Sequence, residues 1–473
     1  MKKFFFAFLT LLFLVNTSIF WEKVSNVESS VVEKITQEAQ PHVLPDPIMV
    51  LPFIILLLMI ATGPLFYKHF WEHNYPKISI TLGLVTVSYY YFYLKDSHSI
   101  MHTMEEYISF IALLTSLFVS SGGIMIKVDK KATPLLNSIL LFIGAIISNF
   151  IGTTGASMLL IRPFIKINQN RIKAFHIIFF IFIVSNIGGA LTPIGDPPLF
   201  LGFLRGVEFF WVISHVWHIW LLTVLIIIAI FYLLDSKVKD EATDNNNYSG
   251  KIEFKGLHNI IFLLIIILSV FLDKNILSWI PSLHPLPLGI REIIMFSVAY
   301  ISYKFSNKEA LSYNNFNFEP IKEVAYLFVG IFATMIPALQ LIAHEARLYG
   351  KELDAGIFFW GTGILSSFLD NAPTYLNFLS AAMGKFELDV NLASHVLRFE
   401  FEDAIYLQAI SISAVFFGAM TYIGNGPNFM VKSISEQVGI KMPSFFGYII
   451  KYSIPILLPI FTLIWLIFFY GKV

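Results

Sequence analysis

Cysteine is absent from all 473 residues, which excludes disulfides, thiolate metal ligands and a cysteine nucleophile together. Charge is scarce: 14% of the residues are Asp, Glu, Lys or Arg, against about a quarter in a soluble chain. Neither sign is in excess, because 32 Lys and Arg balance 32 Asp and Glu. The polycationic footprint of a nucleic-acid partner is therefore missing. No G-x-x-x-x-G-K-S/T loop occurs, so there is no built-in ATPase. His344-Glu345 is followed by Ala346, Arg347 and Leu348, which breaks the H-E-x-x-H zinc pattern. Gly424-Asn425-Gly426 is only a fragment of a dinucleotide loop. These absences predict no enzyme activity, no cofactor and no permanently bound metal. Apolar residues instead make up 56% of the chain, in runs near the ~20 residues that cross a bilayer. A transmembrane barrel would show ~10-residue alternating strands. The pattern predicts an all-α polytopic membrane protein with the lipid bilayer as its surroundings.

Lys2-Lys3, the apolar run Phe4 to Val15 and Asn16-Thr17-Ser18 have the shape of a signal peptide or an uncleaved anchor over 1–20. Residues 21–47 are polar, carry Pro41, Pro45 and Pro47, and read as an exported segment. A first membrane repeat follows over 48–234, with spans at 48–67, 78–94, 107–126 and 209–234. Between them lie an interrupted stretch at 134–165 and a broken span at 174–203. Residues 235–256 read as a cytoplasmic linker. A second repeat over 257–470 runs in the same order: spans at 257–273, 288–304, 321–343 and 445–470, an interrupted stretch at 354–383 and a broken span at 403–433.

Gly152-Thr153-Thr154-Gly155 divides 134–165 into two arms, each too short for a ~30 Å hydrocarbon core at 1.5 Å per residue. Lys127, Lys130 and Lys131 precede the stretch, and Arg162, Lys166, Arg171 and Lys173 follow its middle. Basic flanks at both ends predict a re-entrant hairpin whose two ends face the cytoplasm. Arg162 is expected to anchor that hairpin at the interface. Glu352, Asp354, Glu387 and Asp389 flank the corresponding stretch in the second half, which places its ends outside. Eighteen of the 32 Lys and Arg residues then fall in inside loops and eleven outside, the bias expected of this topology.

Two internal matches support the division. Ser148-Asn149-Phe150-Ile151-Gly152-Thr153 aligns with Ser366-Ser367-Phe368-Leu369-Asp370-Asn371. Gly189 to Phe200 aligns with Gly418 to Phe429, seven of twelve pairs being identical. An odd number of spans per half makes the copies inverted repeats, the arrangement of secondary transporters. Interrupted helices at membrane depth are tolerated where they are buried in protein or line a wet cavity. Four paired breaks predict one central site, whereas Gly/Pro kinking for packing alone would explain a single break.

Asp196 sits in the first-half break and Asp370 at the second hairpin tip. A carboxylate at that depth costs a few kcal/mol, so it is functional by default, although either could instead cap a helix. Ser148, Asn149, Thr153, Thr154, Asn186, Thr192, Asn371, Thr374, Thr421, Asn425 and Asn428 surround the breaks in sequence. This oxygen-rich set suits a small hard cation. Such an Asp holds a proton or a sodium ion but not both, the minimum machinery of antiport. Lys451, inside the last span, either snorkels to the interface or pairs with Asp196 or Asp370. His176, His215 and His218 read as satisfied or interfacial histidines rather than proton relays.

Ser185-Asn186-Ile187-Gly188-Gly189-Ala190-Leu191-Thr192-Pro193-Ile194-Gly195-Asp196 closely resembles the signature of NhaD-type sodium/proton antiporters, within the ion transporter superfamily. Asp370-Asn371-Ala372-Pro373-Thr374 is similar to their second-half hairpin tip. The continuation Pro197-Pro198-Leu199-Phe200-Leu201-Gly202 looks more like a related bacterial citrate transporter group. The resemblance implies two inverted repeats, each of five transmembrane helices plus a re-entrant helical hairpin with discontinuous helices. In the dicarboxylate branch, Ser-Asn-Thr tips bind sodium and a substrate carboxylate; here the tips read Ser148-Asn149-Phe150 and Ser366-Ser367-Phe368. The first expectation is thus a sodium/proton antiporter of a bacterial-type cytoplasmic membrane, with sodium ions and protons as its transported partners. The alternatives are a sodium- or proton-coupled citrate or dicarboxylate carrier and a non-transporting membrane scaffold. The sequence is compatible with a monomer or a homodimer.

Overall fold

The computed structural model describes residues 44–238, 250–273, 280 and 286–472. The signal or anchor over 1–20, nearly all of the exported segment and the middle of the linker lie outside the described residues.

Six helices among the described residues are long and apolar enough to cross a membrane. A seventh span arises if Ala393–Glu402 and Ala404–Met420, bent by 99°, count as one. Leu58, Phe92, Ile261, Ile454 and Leu466 stand 45–74% exposed. So much bare apolar surface on every long helix is the signature of a lipid-facing wall rather than of a water-facing one. The aromatic residues divide: Phe92 and Tyr93 face outward, while Tyr90, Tyr375, Tyr406 and Tyr448 are fully buried.

In the first half, α1 (Leu51–Phe66) passes through Tyr67 directly into α2 (Lys68–Ser88). The polar segment 68–77, expected to be a loop, is therefore helical, held by the Lys68–Glu72 pair one turn apart. A π-helical turn at Tyr89–Leu94 ends that span, and α3 (Ser97–Gly122) follows, starting ten residues before the expected 107. Strand β1 (Met125–Val128) comes next. Helix α4 (Pro134–Ile167) starts at a Thr133 cap with Pro134 in its first turn. It is a hairpin, because Gly152 adopts φ 75°, ψ 156° and reverses the chain. That backbone region is essentially restricted to glycine. Asn137 and Asn168, 31 residues apart, exchange side-chain hydrogen bonds of 2.8 and 2.9 Å. A straight helix would hold them roughly 46 Å apart. The expected re-entrant shape is thus present.

Helix α5 (Ala174–Ile183), a 3-10 turn and α6 (Pro197–Arg205) form the broken span, and α7 (Phe209–Asp235) completes the half. Strand β2 (Ile252–Lys255) pairs antiparallel with β1, Met125 opposite Lys255 and Val128 opposite Ile252. Strand β1 straddles the end of the span expected at 107–126, and β2 lies inside the segment read as linker. Its alternation is only four residues long, too short to stand out beside a charged loop.

The second half comprises α8 (Asn259–Ser269), α9 (Ile290–Phe305), the short α10 (Lys308–Tyr313) and α11 (Glu319–Tyr349). The second hairpin is α12 (Ala355–Phe368) and α13 (Asn371–Lys385). Its open end is tied where Lys385 Nζ donates to the Leu353 carbonyl at 2.6 Å. Helix α14 (Ala393–Glu402) is amphipathic and was not anticipated; α15 (Ala404–Phe417), α16 (Gly426–Gln437) and α17 (Phe445–Phe468) then close the chain. The bend between α14 and α15 falls at Asp403. A charged residue there, after the alternating Arg398-Phe399-Glu400-Phe401-Glu402, favours a helix lying along an interface over one entering the core.

Candidate functional site

The two broken spans restart in the same way. Pro197 and Pro198 open α6 after Asp196, and Gly426 and Pro427 open α16 after Asn425. Proline in a first turn costs no hydrogen bond and pre-sets the helical φ. Asp196 and Asn425 are extended and occupy the N-cap positions, yet neither side chain caps its own helix. Both turn instead toward each other.

Asp196 is 1% exposed and accepts three hydrogen bonds, one from each of the other breaks. Thr153 Oγ1 of the first hairpin tip donates to Oδ1 at 2.7 Å. Asn425 Nδ2 of the second broken span donates to the same oxygen at 3.0 Å. Asn371 Nδ2 of the second hairpin tip donates to Oδ2 at 2.5 Å. Four interruptions scattered over some 270 positions of sequence therefore meet on one carboxylate.

Asp370 behaves differently. Its carboxylate accepts from Ala372 N at 3.1 Å and caps α13, and Thr374 Oγ1 donates to its main-chain carbonyl at 2.9 Å. No hydrogen bond joins it to Asp196, so one acid lies at the centre and the other holds up the helix beside it. Lys451 is exposed on the last span. Its position fits an aliphatic stem reaching along the helix surface toward water.

Other predicted residues fasten the breaks to the hairpins, and the fastening recurs. Thr192 Oγ1 donates to the Asn149 carbonyl and accepts from Gly195 N. Thr421 Oγ1 donates to the Ser367 carbonyl and accepts from Gly424 N. Ser148 Oγ reaches the Val184 carbonyl at 2.8 Å, and Ser366 Oγ the Ala414 carbonyl at 2.6 Å. A Cβ on Gly195 would strike the Gly189 carbonyl oxygen at 2.1 Å, and one on Gly424 that of Gly418 at 2.6 Å, so both loops close only with glycine. Asn149 further donates to the Gly188 carbonyl at 2.7 Å and accepts from Leu191 N at 2.9 Å. These residues build the cradle and do not touch Asp196. Thr154 is half-buried and stands outside this network.

Asn186 and Asn428 link the broken spans through a 2.6 Å hydrogen bond. Asn428 also donates to the Gly418 and Thr421 carbonyls. Ser157 and Ser185 were not singled out. Their hydroxyls pair at 2.8 Å, and the Ser185 carbonyl accepts from Asn425 at 3.2 Å. Ser157 lies one helical turn past Thr153 and Ser185 directly before Asn186, so that spacing was the signal.

Two buried oxygens in this region have no partner: Asn186 Oδ1 and Asn371 Oδ1. Buried acceptors without a donor are rare and call for a ligand or a moving group. Asn186 Oδ1 stands 3.0 Å, and Asn371 Nδ2 3.6 Å, from the position a Cβ would take on Gly418, so both amides flank one glycine beside the carboxylate. Among the described residues no three His, Cys, Asp or Glu side chains cluster for a metal ion. The donor set is one carboxylate with amide and hydroxyl groups, which matches a hard monovalent cation better than a transition metal. Amide side chains can present nitrogen to a bare carboxylate or oxygen to a cation beside it.

Bilayer-length helices, two hairpins and a polar centre made of broken helices define a multi-pass membrane protein of the secondary-transporter class. The chain belongs to the family described as "Putative citrate transport", whose profile matches residues 44–469. A comparison with curated proteins gives no match.

Proposed function

We propose that the protein is a sodium/proton antiporter of a bacterial-type cytoplasmic membrane, with Asp196 as the exchange site, and not an enzyme. The observation that carries this reading is the convergence of Thr153, Asn371 and Asn425 on that single buried carboxylate. In the proton-loaded state the carboxyl is neutral and the amide nitrogens turn elsewhere. In the sodium-loaded state the carboxylate, the Asn186 and Asn371 oxygens and the Thr153 hydroxyl surround the ion. Proton and ion compete for the same oxygens, so each leaves as the other binds. The matched contacts of Thr192 and Thr421, together with the basic bias of the inside loops, favour two halves in inverted orientation. Rocking of one against the other would open the site to each side in turn.

The family's description favours a second reading, a cation-coupled citrate or dicarboxylate carrier. Against it, no Lys or Arg donates to Asp196 or to the hairpin tips among the described residues, so an anion would have to rely on bound cation for attraction. Proteoliposomes separate the two. An outward sodium jump should drive proton movement with no organic anion present. Uptake of labelled citrate that requires sodium, with no proton flux in its absence, would transfer the assignment to the carrier.

A further inference from the structure

Arg162, expected as an anchor of the first hairpin, is half-buried. It lines a cavity of about 390 Å³ between the second arm of α4, the end of α10 and the end of α16. Lys166, Gln169, Tyr313, Asn315 and Gln437 line the same cavity, and among the described residues no Asp or Glu does. Nη1 of Arg162 is inaccessible and has no hydrogen-bond partner.

The three fully buried arginines are each matched by an acid, whereas Arg162 is half-buried. Arg171 meets Asp235 at 2.8 Å, Arg205 meets Glu106 at 2.5 Å, and Arg291 meets Asp273 at 2.9 Å and Glu292 at 2.6 Å. Leaving a guanidinium without a counter-charge at a protein–membrane boundary is costly. Each fully buried guanidinium has an acid beside it, and half-buried Arg162 has none among the described residues. The donors around the cavity are a planar fork, an ammonium, three amides and a phenol, the set that holds a carboxylate or phosphate group. The cavity is several times the size of such a group, so an anion with a second charged arm fits.

We propose that this cavity is a binding site for a small oxyanion, bearing carboxylate or phosphate groups and held by Arg162 with Lys166. It is separate from the Asp196 centre. Thr153, which touches Asp196, lies nine residues before Arg162, roughly 14 Å along the helical arm at 1.5 Å per residue. The site does not depend on what Asp196 carries. Two sources offer the same chemistry: a soluble polycarboxylate or phosphate, and the headgroup of an anionic lipid.

The test uses the full-length protein in nanodiscs. In phosphatidylcholine discs at fixed ionic strength, citrate and inorganic phosphate are titrated by calorimetry against a chloride control. In a second arm, phosphatidylglycerol replaces part of the lipid, no soluble oxyanion is added, and the unfolding temperature is measured. Citrate or phosphate binding that weakens at least tenfold in Arg162→Gln and severalfold in Lys166→Gln identifies a soluble ligand. Stabilisation by phosphatidylglycerol alone, lost in the same variants, identifies a headgroup. Asp196→Asn should leave either effect unchanged. If Arg162→Gln does not fold, Lys166→Gln and Gln437→Ala carry the comparison. Absence of both effects in the wild-type protein, or effects of equal size in the variants, would overturn the site.

Discussion

Asn371 donates to Asp196 Oδ2 across 175 positions of sequence, at 2.5 Å. This bond joins the second hairpin to the first broken span, so any movement of one half against the other must stretch or exchange it. The amide that breaks away exposes a carboxylate oxygen, and that oxygen is then open to a proton or an ion. Under the proposed exchange, occupancy of the site and relative position of the halves would be coupled through this contact together with those of Asn425 with Asp196 and Asn186 with Asn428. The predictions below test its parts.

Asp196→Asn should abolish sodium/proton exchange while leaving the protein inserted and folded, because an amide keeps the shape but cannot bind a proton competitively. Asp370→Asn should retain exchange within a fewfold, since asparagine caps a helix about as well as aspartate and the carboxylate does not touch Asp196. Proton flux in proteoliposomes checks both. Full activity in the first variant would remove Asp196 from the mechanism.

Thr153→Val removes one of two donors to Asp196 Oδ1 and, in the sodium-loaded state, one ligand. A hydrogen bond to a charged group is worth about 1.5–3 kcal/mol, so apparent sodium affinity should fall by roughly ten- to a hundredfold. Thr153→Ser should restore most of it. An unchanged half-saturation concentration for Thr153→Val would exclude the hydroxyl from ion binding.

Sodium affinity should weaken as pH falls, with maximal rate recovered at high sodium. Protons and sodium draw on the same carboxylate, so acid raises the sodium concentration for half-maximal flux without removing sites. Rates measured as a matrix of pH and sodium decide this. A fall in maximal rate alone, at constant half-saturation, contradicts competition.

Asp235 accepts from Arg171, His176 and Asn137 at 2.8–2.9 Å, and Asn137 in turn pairs with Asn168 at the open end of the first hairpin. Asp235→Ala removes the acid that Arg171, His176 and Asn137 share, a loss of about 3–5 kcal/mol in comparable buried pairs. The unfolding temperature in detergent should drop markedly, whereas Asp354→Ala, which removes a helix cap, should cost only about 1 kcal/mol. Equal effects would show that the cluster is no clamp.

Sidedness is testable cleanly because the chain has no native cysteine. Lys131→Cys and Gln169→Cys, exposed residues on either side of the first hairpin, should label from the same face of the membrane, the cytoplasmic one. Labelling from opposite faces would make α4 a spanning helix.

Sequence alone determined the apolar spans, where they break and that the breaks come in matched pairs, though not the helical turn through 68–77 or helix α14. Those features are local: an apolar run sets a span, Gly152 permits a reversal, and Pro197 or Pro427 restarts a helix. The candidate residues were legible for the same reason, since polar side chains in apolar surroundings stand out one by one. Which of them meet was decided only in three dimensions. Asp196 and Asp370 look alike as intramembrane acids, yet one caps its own helix and the other turns away from its own toward three distant donors. Asp235, read as the start of a linker, closes the base of a hairpin, and Arg162, read as an interfacial anchor, lines a cavity. Each outcome depends on elements brought together from distant parts of the chain, and a carboxylate or guanidinium takes its role from the groups that replace its water.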